Sequence, residues 1–133
     1  AGRNMPGSFV KYDGNGVTCS GEVANAGDFI ADKKVLIVPL KSGGGIRIKI
    51  LEAMAAGRLV LSTSVGMQGI DPEPGTHYLL AETEADFQNQ VQWLLANKES
   101  AEMIARDGRK MVINQYDGRK IIASLAANLS RIL

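Results

Sequence analysis

A strand, a loop of three glycines and a helix follow one another in the chain, and this order constrains the fold more than any other feature. The apolar run Val35 to Val38 predicts a buried strand covered on both faces, and Gly43 to Gly45 form the loop after it. We expect a helix over Ile46 to Ala56 that ends at Gly57, followed directly by a second apolar strand at Leu59 to Ser62. Because glycines let a ligand approach the backbone and free amides at a helix start attract anions, the pattern predicts a ligand that carries phosphate.

Two well-known phosphate-binding motifs do not fit this loop. A Walker loop needs a lysine directly after a glycine, whereas Lys49 follows an isoleucine. A dinucleotide-binding fingerprint that starts at Gly43 would need its third glycine at position 48, which is also an isoleucine. What remains is a weaker pattern, in which the amides of Gly44, Gly45 and Ile46 converge on a diphosphate at the carboxyl ends of parallel strands.

Helical spacing places two charged side chains on the glycine side of the predicted helix. Gly45, Lys49 and Glu52 fall on one stripe, whereas Arg47 is predicted to point away from it. A cation nearest the glycines and a carboxylate beyond it suit a phosphate followed by the diol of a ribose. The alternative is that Lys49 and Glu52 form a solvated ion pair, and spacing alone leaves both interpretations open.

Strands alternate with helices along the rest of the chain. This alternation, closed by a helical tail, predicts an α/β fold with a Rossmann-like, doubly wound parallel sheet, and residues 1–133 are expected to form a single domain. The helix after the glycine loop is expected to bury Ile46, Ile50, Ala53 and Met54. Further expected elements are a short strand at Val17 to Ser20, a helix within Ala24 to Lys33, an edge strand at Tyr78 to Leu80, a helix after Thr83 that buries Phe87, Val91, Leu94 and Leu95, and helices over Ser100 to Gln115 and Asp117 to Leu133.

Composition excludes several classes of function. The chain has 133 residues, of which 45% are hydrophobic and 22% are charged, and its formal net charge is +1. Nothing in it forms the basic face that nucleic acid requires, so we expect no nucleic-acid partner. The single Cys19 excludes an intrachain disulfide, and no apolar run reaches the length of a membrane span. A cytoplasmic domain is therefore predicted.

The start of the chain predicts a fragment. Ala1-Gly2-Arg3-Asn4 begins without a methionine and is typical of a strand that enters a loop. We therefore expect a longer protein, with the first strand and helix of this domain upstream, so that the fold is truncated at its N-terminus.

These segments resemble a known family. The stretch Gly43 to Thr63, with its core Glu52 to Gly57, resembles the C-terminal, donor-binding domain of a GT-B glycosyltransferase and is most similar to the retaining family-4 enzymes. Further matches, in the family's order, are Ala1 to Asn4, Gly16-Val17, Gly21 to Val23, Val35 to Leu40, Gly66 and Gly69-Ile70. The resemblance implies a hexosyltransferase-type enzyme that moves a sugar from a UDP- or GDP-linked donor to a glycan or lipid-linked acceptor, without a metal or other cofactor.

The resemblance also implies roles for residues around the glycine loop. Glu52 corresponds to the second glutamate of the family's paired-glutamate motif, which holds the ribose of the donor. Gly44, Gly45 and Ile46 correspond to the loop that binds the diphosphate through backbone amides. Lys49 would help to stabilise the diphosphate as it leaves.

Other implied features lie around this site or outside the chain. Gly21 and Val23 lie where the family lines its base pocket, and Thr63 to Gly69 near the same crevice. The first glutamate of the motif falls on Gly44, so no carboxylate is available there beside the transferred sugar. The family's upstream basic pair and its acceptor-binding N-terminal domain, on which the terminal helix 117–133 is expected to dock, are not in this sequence. No catalytic residue is therefore assigned within it.

The remaining chemistry-bearing side chains are expected to be structural. His77 has no neighbours at metal-ligand spacing, so no metal site is predicted, and Cys19 is expected to be buried. Peripheral contact with the inner face of a membrane is an alternative to a solvated surface for the basic residues of the last two helices, because related enzymes that act on lipid-linked acceptors make such contacts. These residues are Arg106, Arg109, Lys110, Arg119 and Lys120.

A second hypothesis comes from a different class of protein. The chain could be a non-catalytic α/β module, either a degenerate sugar-nucleotide domain or a partner-binding domain that keeps the fold. Gly44 in place of an acid favours it, because fold alone does not establish chemistry. A phospho-acceptor receiver domain fits less well, since it needs an aspartate at the end of a strand and Pro39-Leu40 ends the best one.

Overall fold

The computed structural model describes residues 4–118. The first three residues and nearly all of the helix predicted over 117–133, with Arg119 and Lys120, lie outside the described residues. The described elements are a 3₁₀ helix at Gly7–Tyr12, α1 at Ala26–Ala31, β1 at Val35–Val38, α2 at Ile48–Ala55, β2 at Leu59–Ser62, β3 at Leu79–Leu80, α3 at Glu84–Ala96 and α4 at Lys98–Gln115.

The described strands form one parallel sheet in the order β1-β2-β3. Val35 pairs with Leu59, and Leu61 pairs with Leu79, so the carboxyl ends of the strands meet at one edge of the sheet. All four residues of β2 are buried, as expected for a central strand whose apolar run is continuous. The predicted positions of these strands are confirmed, including β3 as an edge strand.

Helices cover both faces of this sheet, which confirms the doubly wound architecture. On one face, Ile30 of α1 and Ile50, Ala53 and Met54 of α2 pack around Val60 of β2. On the other face, α3 and the first half of α4 pack against Leu59, Leu61 and Leu79. Burying a side chain such as Val60 or Leu61 contributes about 1.5–3 kcal/mol, so β2 lies at the centre of the stabilising core.

The helix after the glycine loop begins later than the sequence predicts. α2 begins at Ile48, not at Ile46, and Arg47 occupies the N-cap position with φ −88° and ψ 90°. The reason is local, because the extended backbone of Arg47 cannot form part of a right-handed helix. Ile46 therefore lies outside the helix and is 51% exposed, so its predicted burial is wrong.

The other end of α2 agrees with the prediction. Gly57 has a φ of +72° and follows the last residues of the helix. Its amide donates to the carbonyl of Met54, and the Arg58 amide donates to the carbonyl of Ala53, which is the Schellman pattern. The C′ assignment of Gly57 is confirmed.

Three expectations about burial and strands are wrong. Val17 to Ser20 form no strand; Val17 only bridges Gly14 across a tight turn with positive φ at Asn15 and Gly16, and no described strand lies beside them. Ile37 of β1 is 50% exposed because β1 is an edge strand of the described sheet. In α3, Val91 and Leu95 are 38% and 68% exposed, since the sheet below that side of the helix is itself uncovered.

Candidate functional site

The glycine loop lies at the carboxyl edge of the sheet and is exposed from Lys41 to Ile46. Gly43 and Gly45 have φ values of +127° and +84°, conformations that other residues rarely adopt. No atom lies within 4 Å of the position that a Cβ would take at Gly44 or Gly45. The outer side of the loop is therefore open to a ligand.

The start of α2 leaves backbone donors without partners. None of the amides from Gly44 to Lys49 donates a hydrogen bond to another group in the described part of the chain, and Arg47 makes no side-chain cap. The first protein bond of this turn runs from the Ile50 amide to the Arg47 carbonyl, at 2.8 Å. Unpaired amides at a helix start, aligned with the positive end of the helix dipole, form an environment that favours an anion.

Lys49 and Glu52 contact each other on the exposed face of α2. Lys49 Nζ lies 2.8 Å from Glu52 Oε2, and the two side chains are 59% and 40% exposed. An exposed pair at this spacing contributes only about 0.3–0.5 kcal/mol, so a ligand can separate it at small cost. Gly45 precedes the helix, so the prediction that it shares a stripe with Lys49 and Glu52 is wrong.

Arg47 makes contacts that helical spacing did not predict. Because it is the N-cap residue and not part of the helix, its side chain turns back, and Nη1 donates to the Gly44 carbonyl at 2.6 Å. Its Nε is buried without a hydrogen-bond partner among the described residues. An arginine two residues after a glycine run is the sequence signal that could have identified this contact.

A second loop completes the edge of the site. The Thr63 hydroxyl donates to the Leu40 carbonyl at 2.6 Å and accepts from the Gly66 amide at 3.1 Å. A Cβ on Gly69 would lie 2.7 Å from Cγ1 of Ile46, so this glycine lets the two loops touch. Thr63 to Gly69 therefore lie beside the glycine loop, as the resemblance implied.

Glu82 also holds this loop, although sequence reasoning did not identify it. Its Oε1 accepts from the Ser64 amide at 2.9 Å, across the carboxyl ends of β2 and β3. Burial raises the pKa of Tyr78, and the negative charge of Glu82 raises it further. No motif marks Glu82 in the sequence, because its role depends on the parallel register that brings the two strand ends together.

The surroundings of Gly21 and Val23 do not indicate a role for either residue. Gly21 has a φ of +61° with open space around its Cβ position, and both residues are partly exposed. They precede α1, which is capped by Asn25 and packs against α2. Their assignment to a base pocket stays a prediction.

A separate groove lies on the opposite face of the sheet from α2. It has a volume of about 590 Å³, and none of the predicted donor-binding residues is among those that line it. Its lining is mainly apolar, with a polar end at the carboxyl edge of the strands, and includes Ile37, Pro39, Thr63, Glu82, Phe87 and Val91.

The other candidate side chains have structural partners. His77 Nδ1 accepts from the Glu73 amide at 3.0 Å, and the Cys19 thiol donates to the Phe9 carbonyl at 3.2 Å. Cys19 is partly exposed, so its predicted burial is only partial. Within residues 4–118, no three His, Cys, Asp or Glu side chains are grouped closely enough to hold a metal ion. None of the helices in that range has the length and apolarity of a membrane span.

Comparison with solved structures gives close matches of fold. HepE from Anabaena, crystallised with UDP, superposes with a TM-score of 0.78 at 19% identity, over 88% of this chain and 33% of the HepE chain. The HepE complex with UDP-glucose gives a TM-score of 0.75. The C-terminal domain of the group 1 glycosyl transferase LpcC from Francisella tularensis gives 0.63 at 20% identity, over 74% of this chain and 52% of that domain.

Sequence comparison identifies the family. An uncharacterized 44.6 kDa protein in the cps region of Klebsiella pneumoniae is 28% identical over 91 residues, which are 68% of this chain and 24% of that protein. The chain thus spans about a quarter of the length of this relative and about a third of HepE. A family model described as glycosyl transferases group 1 matches residues 2–97, most of the chain. The chain therefore belongs to the glycosyl transferases group 1 family.

Proposed function

We propose that this chain is the donor-binding part of a glycosyltransferase that transfers a sugar from a UDP- or GDP-linked donor to a glycan or lipid-linked acceptor. The observation that carries the proposal is the exposed run of unpaired amides from Gly44 to Lys49 at the carboxyl edge of a parallel sheet. Family membership and the UDP bound by HepE support the same ligand class.

In this proposal the glycine loop and the start of α2 bind the diphosphate. The amides donate to the phosphate oxygens, and the positive end of the helix dipole favours the charge that develops there when the bond from the sugar to the phosphate breaks. Each such hydrogen bond contributes about 1 kcal/mol, more when it is made to a charged oxygen. No metal is required for this stabilisation.

Glu52 and Lys49 exchange partners when the donor binds. The pair opens, the Glu52 carboxylate accepts from the ribose hydroxyls, and Lys49 is released toward the diphosphate. The exchange replaces one exposed ion pair, worth a few tenths of a kcal/mol, with charge-assisted hydrogen bonds to the ligand. An acceptor-binding domain of the same protein, retention of anomeric configuration and contact with a membrane surface belong to the same proposal.

Calorimetric titration with UDP and with GDP tests the ribose assignment. We expect Glu52→Ala to weaken binding of the preferred nucleotide roughly 10-fold, the loss of about one charge-assisted hydrogen bond. Asp107→Ala is the matched control, because Asp107 and Lys110 on α4 form an exposed pair with the same spacing and the same 2.8 Å distance. Unchanged affinity in Glu52→Ala for both nucleotides would contradict the assignment.

Gly44 supports a second candidate, a sugar-nucleotide-binding module without transferase activity. At the position where the family carries an acid, this chain has no side chain, and no other described group occupies the space around it. The full-length protein with donor and acceptor distinguishes the two candidates. Donor binding without sugar transfer or donor hydrolysis favours the module.

A further inference from the structure

The Arg47 side chain folds back against the glycine loop. Its Nη1 donates to the Gly44 carbonyl at 2.6 Å, and Nη2 lies 2.5 Å from the position that a Cβ would take on Gly43. A side chain at position 43 would collide with the guanidinium, so the glycine is needed for Arg47 to reach this position. Arg47 is partly buried, whereas Gly43, Gly44 and Gly45 are exposed.

This contact fixes the direction of one peptide group. In a trans peptide the carbonyl and the following N–H point to opposite sides. When Arg47 holds the Gly44 carbonyl, the Gly45 amide must point away from the guanidinium. Since neither Gly44 nor Gly45 has a side chain, little else restricts rotation of this peptide.

Arg47 also retains unused hydrogen-bonding capacity. Its Nε is buried and has no partner among the described residues, and leaving such a donor unpaired is unfavourable. An anion bound nearby lowers the electrostatic cost of this partly buried guanidinium. The guanidinium therefore places positive charge on one side of the Gly44–Gly45 peptide, while the Gly45 amide presents a donor on the other side.

We propose that Arg47 is a positioning residue for the donor diphosphate, which orients the Gly44–Gly45 peptide so that the Gly45 amide faces the incoming phosphate. This inference rests on the proposed function, because it assumes a diphosphate at this loop. It adds a residue that contributes through its contact with the loop backbone, in a part of the chain where the motif's first acid is replaced by glycine.

The test compares binding of UDP with binding of uridine, which lacks the phosphates. We expect Arg47→Met to weaken UDP binding about 10-fold, or about 1.4 kcal/mol, while uridine binding and the melting temperature stay at wild-type values. Arg47→Lys keeps the positive charge but lacks the planar guanidinium, so it should recover part of the lost affinity. Arg106→Met, which removes an exposed arginine from α4, is the control and should leave both affinities unchanged.

The outcomes separate this inference from the proposed function. If wild type binds neither UDP nor GDP, the proposed function fails and the role of Arg47 fails with it. If wild type binds UDP and Arg47→Met binds it equally well, only the role of Arg47 is overturned. Equal losses for UDP and uridine, or a lower melting temperature that Arg47→Lys does not restore, would show a purely structural role and also overturn it.

Discussion

The two ends of α2 differ in how their backbone groups are paired. At the C-terminal end, the Gly57 and Arg58 amides bond back to the helix, and Arg109 Nε from α4 donates to the Ala55 carbonyl at 2.9 Å. At the N-terminal end, the amides from Gly44 to Lys49 have no partner in residues 4–118. One end is closed by protein groups, and the other end leaves its donors for a ligand.

A comparison with the starts of the other helices points the same way. α1 is capped by Asn25, whose Oδ1 accepts from the Gly27 amide at 2.8 Å. α3 has a capping box, in which Thr83 and Asp86 bond to each other's backbone amides. α4 also lacks a side-chain cap, but it follows directly on the end of α3 at Asn97. α2 differs from all of them, because its uncapped start follows an exposed glycine loop at the sheet edge where ligands bind in such folds.

The largest expected effect contrasts a glycine at each end of α2. Gly57→Ala forces a side chain into a φ of +72° and should lower the free energy of unfolding by about 1 kcal/mol, with UDP affinity unchanged. Gly44→Ala has room for its Cβ and an ordinary φ, so stability should stay within about 0.5 kcal/mol of wild type. Its methyl group should instead hinder the diphosphate and weaken UDP binding. Urea unfolding and calorimetry on both variants measure the contrast. Weaker UDP binding in Gly57→Ala, with unchanged binding in Gly44→Ala, would contradict it.

A smaller effect is expected at the start of α3, where the Asp86 carboxylate takes part in the helix cap. Backbone and side-chain hydrogen bonds from Thr83, with a further bond from the Glu82 amide, lower the pKa of Asp86 below its ordinary value of 3.8. A lowered folded-state pKa stabilises the fold above the unfolded-state value, and this stability is lost as the pH falls through the folded-state pKa. Wild type should therefore be more stable than Asp86→Asn at pH 7, and the difference should shrink below about pH 4. Thermal unfolding from pH 7 to pH 3 measures it, and a difference that does not vary with pH would count against the cap.

Much of the fold could be predicted from local sequence signals. The apolar runs at Val35 to Val38 and Leu59 to Ser62 identified two parallel strands, and Gly57 identified the end of α2. The helix expected after Thr83 is also present, with Thr83 as its N-cap. Each of these signals depends on residues that are close together in the chain, which is why sequence reasoning found them.

The errors arose where distant contacts or backbone conformation decide the outcome. Ile46 has the spacing of a buried helical residue, yet the extended backbone at Arg47 delays the start of the helix, and Ile46 lies against Gly69 instead. Val91 has the spacing of a core residue in α3, but no described element covers the neighbouring Ile37. The contacts of Arg47 depend on the loop conformation, so helical spacing could not predict them.

The most direct test of the open helix start is an amide-resolved NMR titration of the ¹⁵N-labelled chain with UDP. We expect the largest saturable shifts in the amides from Gly44 to Lys49, while those of Gly57 and Arg58 at the closed end, and of Asp86 in the capped start of α3, barely move. Saturable shifts confined to the apolar groove around Ile37 and Val91, with the glycine-loop amides unmoved, would contradict it.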